Sequence, residues 1–169
     1  MEKDGQAALQ TCIQAAIFID AEPNACWLNA WKALLYLPGY FSGGWYVEGW
    51  LVIETTTEVQ VIEHGWCQRS CGEIVDPTIL FLAGDWFRSH YFCGLRISLS
   101  EVLLGPDDRA LPVVRHSNYQ DDGMGHAGYR CAYNDAQQEA MDRARRWLLP
   151  IVFYRMVTDP AMLVHITNE

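Results

Sequence analysis

The chain has 169 residues, of which 50% are hydrophobic and 20% are charged, and its formal net charge is −9. This length and composition fit one folded domain, 1–169, with a buried core, and they argue against disorder. The negative charge argues against a nucleic-acid binder, which normally presents a basic surface, and against docking on an anionic membrane.

The first residues and the cysteine content bear on location. The start of the chain lacks the basic and apolar regions of a secretory signal, and no apolar run approaches the roughly 18 residues of a membrane span. A chain of this length does not need disulfides to fold. We therefore expect a cytoplasmic protein whose six cysteines are reduced thiols: Cys12, Cys26, Cys67, Cys71, Cys93 and Cys131.

Two helices are predicted at the start of the chain. The first covers residues 6–19, and the second follows Pro23 with Asn24 as its N-cap. The apolar residues of the second helix recur with the i, i+3, i+4, i+7 spacing of a helix that faces a core. Pro38 and Gly39 are predicted to end it.

The middle of the chain predicts an antiparallel meander. Its runs are rich in aromatic and β-branched residues and are separated by turn-like segments. The predicted strands are 45–54, 59–66, 73–78 and 91–98. Ser100 is predicted to cap a short helix after them.

The C-terminal third is predicted to begin with an irregular segment, 105–130. It contains His116 and His126 and is interpreted as an exposed polar loop, with a lid or a metal loop as the less favoured alternatives. A last helix is predicted over 134–149, ended by Pro150 and followed by an edge strand over 151–157. The element order predicts an α+β domain with N-terminal helices packed on an antiparallel sheet.

Cys26 falls in the first turn of the second predicted helix. There the main-chain N–H groups and the helix dipole favour negative charge, which can lower the pKa of a thiol. A cysteine thiolate is a strong nucleophile. Asn29 lies three residues on and on the same side of the helix, where its amide can orient the thiol or donate to a substrate oxygen.

His64 and Asp76 are predicted to be neighbours on adjacent strands. A turn centred near Ser70 places them directly opposite each other, with Cβ atoms roughly 5 Å apart, on a face with apolar neighbours. A carboxylate beside an imidazole fixes the tautomer and stabilises the imidazolium. The preceding hairpin, centred between residues 56 and 57, places Gly49 opposite His64 and leaves room beside the ring.

Three short segments carry these residues: Cys26-Trp27-Leu28-Asn29-Ala30, Glu63-His64-Gly65-Trp66 and Val75-Asp76-Pro77-Thr78. In this order they resemble the Cys, His-x-Trp and Asp-Pro-Thr elements of transglutaminase-like, papain-fold proteins. The resemblance covers roughly residues 24–78. It implies a papain-like α+β fold and a catalytic triad of Cys26, His64 and Asp76.

The resemblance implies a cysteine hydrolase or acyl transferase that needs no cofactor or metal. Its substrate would be a peptide, a protein or a small amide or ester, attacked through an acyl-thioester. Papain-type enzymes often carry an oxyanion-hole Gln before the Cys, and Asp20 stands six residues before Cys26. Asn24, Asn29 and the main-chain N–H of Cys26 are the expected replacements, with Trp66 in the same substrate-contacting group. The oligomeric state stays open.

Other interpretations of the same residues stay open. The scaffold could serve as a non-catalytic binding or inhibitor module, because a fold does not fix a function. Cys67 and Cys71 have a spacing compatible with a zinc site, which His64 or His90 would complete, although a plain hairpin is favoured.

A paired-carboxylate hydrolase is a further alternative. Glu48 and Glu63 lie near the same strands and would have to converge to form such a pair. Glu63 is predicted to point away from the face of His64, because neighbouring side chains on a strand alternate. Solvated positions are therefore expected for both carboxylates.

Overall fold

The computed structural model of the chain describes residues 2–55, 58–82, 86–104 and 127–158. Within these ranges the protein is α+β, as predicted, with a curled four-stranded antiparallel sheet and five helices. The elements are α1 (Glu2–Phe18), α2 (Cys26–Tyr36), β1 (Trp45–Thr55), β2 (Val59–Gln68), β3 (Ile74–Val75), α3 (Ile79–Leu82), β4 (Trp86–Ser98), α4 (Leu99–Leu104) and α5 (Ala127–Thr158).

The sheet has the strand order β3-β2-β1-β4. The first three strands form the predicted meander, and β4 returns to pair with the far side of β1. The β1–β2 hairpin places Gly49 opposite His64, as predicted. The strands β1 and β4 are longer than the sequence pattern indicated, and β3 is reduced to two residues.

The register of the β2–β3 pair differs from the prediction. Cys67 lies opposite Val75, so the turn is centred on Cys71 rather than near Ser70. The ladder ends at Val75, and Asp76 therefore does not lie opposite His64 within the sheet. The turn, residues 69–73, is shifted by one residue along the chain, and the Arg69 N–H bonds the Glu73 carbonyl across it.

Two buried clusters form the core of the described residues. The larger one packs α1 and α2 against the sheet, with buried members that include Cys12, Leu34, Phe41, Tyr46 and Leu51. The smaller one packs α5 against the sheet through Trp50, Val52, Tyr133, Ala136 and Ala140. Burial of this much apolar surface is the main favourable term in folding.

The C-terminal prediction was wrong in two places. The helix α5 begins at Ala127 and continues through Pro150 to Thr158, where an end and an edge strand were expected. Proline removes one main-chain hydrogen bond from a helix but does not have to end it. Residues 105–126, with His116 and His126, lie outside the described residues.

None of the helices in the described ranges is both long and apolar enough to cross a membrane.

Candidate active site

Cys26 is the first residue of α2, so the predicted place at a helix N-terminus is correct. The first main-chain hydrogen bond of the helix runs from the Asn29 N–H to the Ala25 carbonyl. The N–H of Cys26 precedes that bond and points toward the end of the helix where the dipole favours negative charge. The side chain is buried, with 7% of its surface exposed.

The predicted N-cap is wrong by one residue. Ala25 occupies the cap position and makes no side-chain hydrogen bond, whereas Asn24 is exposed and has a left-handed backbone with φ of 60°. Asp20 also has a positive φ, 51°, where the chain leaves α1. Asn and Asp tolerate this region better than other side chains, so both residues shape the loop before Cys26.

His64 lies beside both other members of the predicted triad. Its Nε2 is 2.7 Å from Oδ2 of Asp76, and the Cys26 side chain lies close enough to the ring to raise its pKa. Because Nε2 faces the carboxylate, Nδ1 is the nitrogen left for the thiol. His64 and Asp76 are 1% and 0% exposed, so the pair is shielded from water.

Asp76 is held by two further donors. The Tyr91 hydroxyl donates to Oδ2 at 2.9 Å, and the Thr78 main-chain N–H donates to Oδ1 at 2.9 Å. The Asp76 main-chain N–H in turn donates to the Cys12 sulfur at 3.2 Å. A buried carboxylate needs such donors, because ionisation away from water is costly without them.

The ionisation of His64 is set by these neighbours. Burial on its own lowers the pKa of the ring, but the charge of Asp76 and its hydrogen bond outweigh that effect. The contact with Cys26 adds to the increase, and the pKa rises from 6.5 to about 10. The ring is therefore an imidazolium at neutral pH, next to a thiol at a helix N-terminus.

Trp66 packs against the His64 ring. It is 1% exposed and stacks on His64 with ring centroids 6.4 Å apart and planes 18° apart. Tyr91 meets Trp66 edge-on at 5.2 Å. Trp66 was assigned to the substrate-contacting group, and its burial instead makes it part of the packing that orients His64.

Two glycines let the elements around His64 approach closely. A Cβ on Gly65 would lie 2.7 Å from Cδ1 and 3.1 Å from Cα of Trp27, so α2 could not sit where it does on β2. A Cβ on Gly49 would collide with the main chain of Phe92 and Gly94. The space expected beside the His64 ring is thus filled by neighbouring strands.

The amide of Asn29 is fully used within the protein. Its Nδ2 donates to the Glu22 carbonyl at 2.7 Å and to Thr78 Oγ1 at 2.9 Å, and its Oδ1 accepts from the Glu22 N–H at 3.1 Å. Both amide hydrogens are occupied and the residue is 0% exposed. Asn29 therefore ties α2 to the loop before Cys26 and to the segment after Asp76, with no hydrogen left for a substrate oxygen.

Each carboxylate of the alternative Glu48–Glu63 pair accepts a hydrogen bond from a tyrosine. Glu48 is 0% exposed and accepts a 2.6 Å bond from Tyr46, so its predicted solvated position was wrong. Glu63 is partly buried and accepts from Tyr133 of α5. Glu48 lies opposite Gly65 and Glu63 lies opposite Trp50, so the two carboxylates are not directly opposed, and each is held by a different tyrosine.

The proposed zinc ligands are dispersed. Cys67 is buried and donates to the Ala30 carbonyl, Cys71 is exposed, and His90 contacts Arg143. Among the described residues, no group of three or more His, Cys, Asp or Glu side chains could hold a metal ion.

Sequence reasoning missed Tyr91 and Cys12 as neighbours of Asp76. Neither residue belongs to the three segments that carry the resemblance, and both reach Asp76 from elements distant in the chain. Only the pairing of β4 with β1 brings Tyr91 to the site. The sole signal in the sequence was the aromatic start of the predicted strand over 91–98.

Comparison of the chain with protein-family models, curated proteins and solved structures finds no match.

Proposed function

We propose that this protein is a cysteine-dependent acyl-transfer enzyme with a papain-like, transglutaminase-like arrangement of Cys26, His64 and Asp76. The observation that carries the proposal is the chain of contacts from thiol to imidazole to buried carboxylate. A thiol at a helix N-terminus beside an imidazolium is the arrangement that makes cysteine nucleophilic at neutral pH.

In the proposed reaction, the Cys26 thiolate attacks the carbonyl carbon of an amide or ester. The imidazolium of His64 then gives its proton to the departing nitrogen or oxygen, which leaves as an amine or alcohol. The acyl group remains on sulfur as a thioester. Neutral His64 next accepts a proton from water or an amine, which attacks the thioester and releases the product together with the Cys26 thiolate.

Asp76 has two tasks in this scheme. Its hydrogen bond to Nε2 fixes the ring so that Nδ1 faces Cys26, and its charge stabilises the imidazolium. The carbonyl oxygen that becomes negative needs donors as well. The main-chain N–H of Cys26 at the start of α2 is the donor best placed for it, since Asn29 is occupied elsewhere.

The first test is the alkylation rate of Cys26 by iodoacetamide between pH 4 and 10, with modified sites located by mass spectrometry. An ordinary thiol titrates near about 8.5. We expect rapid labelling of Cys26 well below that pH in the wild type, and its loss in His64→Ala. The exposed thiols Cys71 and Cys131 report reagent access in each sample.

A non-catalytic binding module is the second candidate, and one observation favours it. Cys26 and His64 are 7% and 1% exposed, so little of either group is accessible to a substrate. The same alkylation profile separates the two functions. Slow labelling of Cys26 with an ordinary pH profile, unchanged in His64→Ala, would reject the enzyme and leave the binding module.

A further inference from the structure

Tyr91 of β4 contacts the carboxylate of the candidate triad. Its hydroxyl donates to the same oxygen, Oδ2, that accepts the bond from His64 Nε2. The two bonds measure 2.9 Å and 2.7 Å. Tyr91 therefore touches the carboxylate that orients the ring, without touching the ring nitrogen that faces the thiol.

We propose that Tyr91 is a positioning residue of the acyl-transfer site: its O–H bond keeps Asp76 ionised and fixed against His64, and so maintains the imidazolium that activates Cys26. This inference rests on the proposed function. Tyr91 is not a catalytic residue in it, because it acts only through Asp76.

The single proton of the His64–Asp76 pair has two possible positions. It can sit on the ring, giving an ion pair, or on the carboxyl, giving two neutral groups. A donor to the carboxylate stabilises the charged form and therefore the ion pair. Without the Tyr91 hydroxyl, the proton moves toward Asp76, the ring loses positive charge, and a thiolate beside it loses stabilisation.

The surroundings leave Tyr91 as the side-chain donor suited to this task. Among the described neighbours of Asp76, the other titratable side chains besides His64 are the thiols Cys12 and Cys67. Burial raises the pKa of Cys12 from 9.0 to about 11, and burial also raises the pKa of Cys67. Both therefore stay neutral near pH 7, and Cys26 is the titratable group on the other side of the ring.

The state of Tyr91 itself is fixed. Burial, followed by the charge of Asp76, raises the pKa of its hydroxyl well above 10. The group remains an O–H donor through the working pH range.

The test compares Tyr91→Phe with Tyr133→Phe in the Cys26 alkylation profile. Tyr133 is a matched control, because its buried hydroxyl also donates to a carboxylate, Glu63 Oε1 at 2.8 Å, away from His64. Since a hydrogen bond to a charged group is lost, we expect Cys26 labelling of Tyr91→Phe at pH 6 to fall about tenfold. The acid limb of its profile should move to higher pH, while Tyr133→Phe should match the wild type.

A second measurement uses the ¹⁵N resonances of the His64 ring, which report ring protonation. Tyr91→Phe should shift them toward the neutral form at pH 7, and Tyr133→Phe should not. A Tyr91→Phe protein with wild-type labelling and wild-type ring resonances would overturn the inference and leave the proposed function standing. Equal shifts in both variants would also overturn it. A wild type without acid-side reactivity would instead overturn the proposed function, and the inference with it.

Discussion

Two of the buried carboxylates in the described residues contact a histidine. Asp76 follows β3 and pairs with His64, whereas Glu54 lies near the end of β1 and contacts His90 at 3.3 Å. Both carboxylates are almost fully buried. They differ in which group supplies the positive charge.

Glu54 is neutralised by an arginine of α5. Arg143 reaches Glu54 Oε1 through Nε at 2.7 Å and also donates to His90 Nε2 at 3.0 Å. Arginine does not lose its proton, so the charge that Arg143 brings to Glu54 is permanent. The cluster fastens α5 to the sheet.

Asp76 is paired with a cation that can titrate. Its partner is His64, whose raised pKa makes the ring an imidazolium at neutral pH, and the ring also contacts the Cys26 thiol. The charge at this site can therefore be given away as a proton, which the charge of Arg143 cannot. The permanent charge of Arg143 holds two elements together. The titratable charge of His64, beside a nucleophile, allows acid–base chemistry.

The largest expected effect comes from removing the Asp76 charge. In Asp76→Asn, His64 stays buried without its counter-charge, and losing one partner of a buried pair typically costs about 3–5 kcal/mol of stability. We expect urea unfolding to show this loss and Cys26 alkylation at pH 6 to collapse. In the matched variant Glu54→Gln, Cys26 labelling should remain at the wild-type rate. Equal loss of labelling in both variants would contradict the conclusion that Asp76, and not Glu54, activates Cys26.

The second effect is a dependence of stability on pH. The pKa of His64 is higher in the folded state, about 10, than its ordinary value of 6.5, so the folded protein holds a proton that the unfolded chain has lost. The stabilisation is complete below about pH 6.5 and disappears as the pH rises through about 10.

The measurement for this second effect is urea unfolding of wild type and His64→Gln at several values between pH 6 and 10. The free-energy gap between the two proteins should shrink by something on the order of 3 kcal/mol across this window. The matched pair for Glu54 is wild type and His90→Gln, whose gap should change by less over the same range, because the permanent charge of Arg143 already pairs with Glu54. A gap that widens with pH for His64→Gln would contradict an imidazolium in the folded protein.

The third effect decides what Asn29 does. Asn29→Ala deletes three hydrogen bonds, one buried and two part-buried, that join α2 to Glu22 and Thr78, and we expect a loss of about 2–3 kcal/mol of unfolding free energy. Thermal and urea unfolding would measure it. An oxyanion role would give the opposite pattern, with stability retained and the rate of acyl transfer lowered.

The sequence predicted the local part of this site and not its distant part. The position of Cys26 at a helix N-terminus follows from periodicity and turn residues nearby in the chain. The β1–β2 register follows from a predicted turn centred between residues 56 and 57 and from alternating side chains, so Gly49 was correctly placed opposite His64. Both predictions depend on residues that are close in sequence.

The parts that failed depend on tertiary structure. The turn after β2 is centred on Cys71, and Asp76 reaches His64 from beyond the end of the ladder rather than from an opposed position. The short helix α4 is capped by Ser98 and Glu101, which bond each other's main-chain N–H groups, rather than by Ser100. Tyr91 joins the site only because β4 crosses to the far side of β1, which no local pattern specifies.

The smallest expected effect tests the packing that brings Cys26 to His64. A methyl group at Gly65 would meet Trp27 at 2.7 Å, so Gly65→Ala should push the start of α2 away from β2. Overpacking of this kind typically costs about 1–3 kcal/mol. The Cys26 thiol would also move away from the His64 ring. Cys26 labelling at pH 6 should therefore fall by more than the stability change explains.

The control for Gly65 is another glycine with open space around it. A Cβ on Gly39 meets nothing within 4 Å, so Gly39→Ala should leave both unfolding and labelling close to the wild type. The labelling must be measured at a temperature where each variant is fully folded, so that only the geometry differs. If Gly65→Ala lost stability but kept the acid-side reactivity of Cys26, the close contact of α2 with β2 would serve packing alone. The His64–Asp76 pair would then activate the Cys26 thiol whether or not α2 packs closely on β2. Gly65 would have a structural role only, and His64 a chemical one.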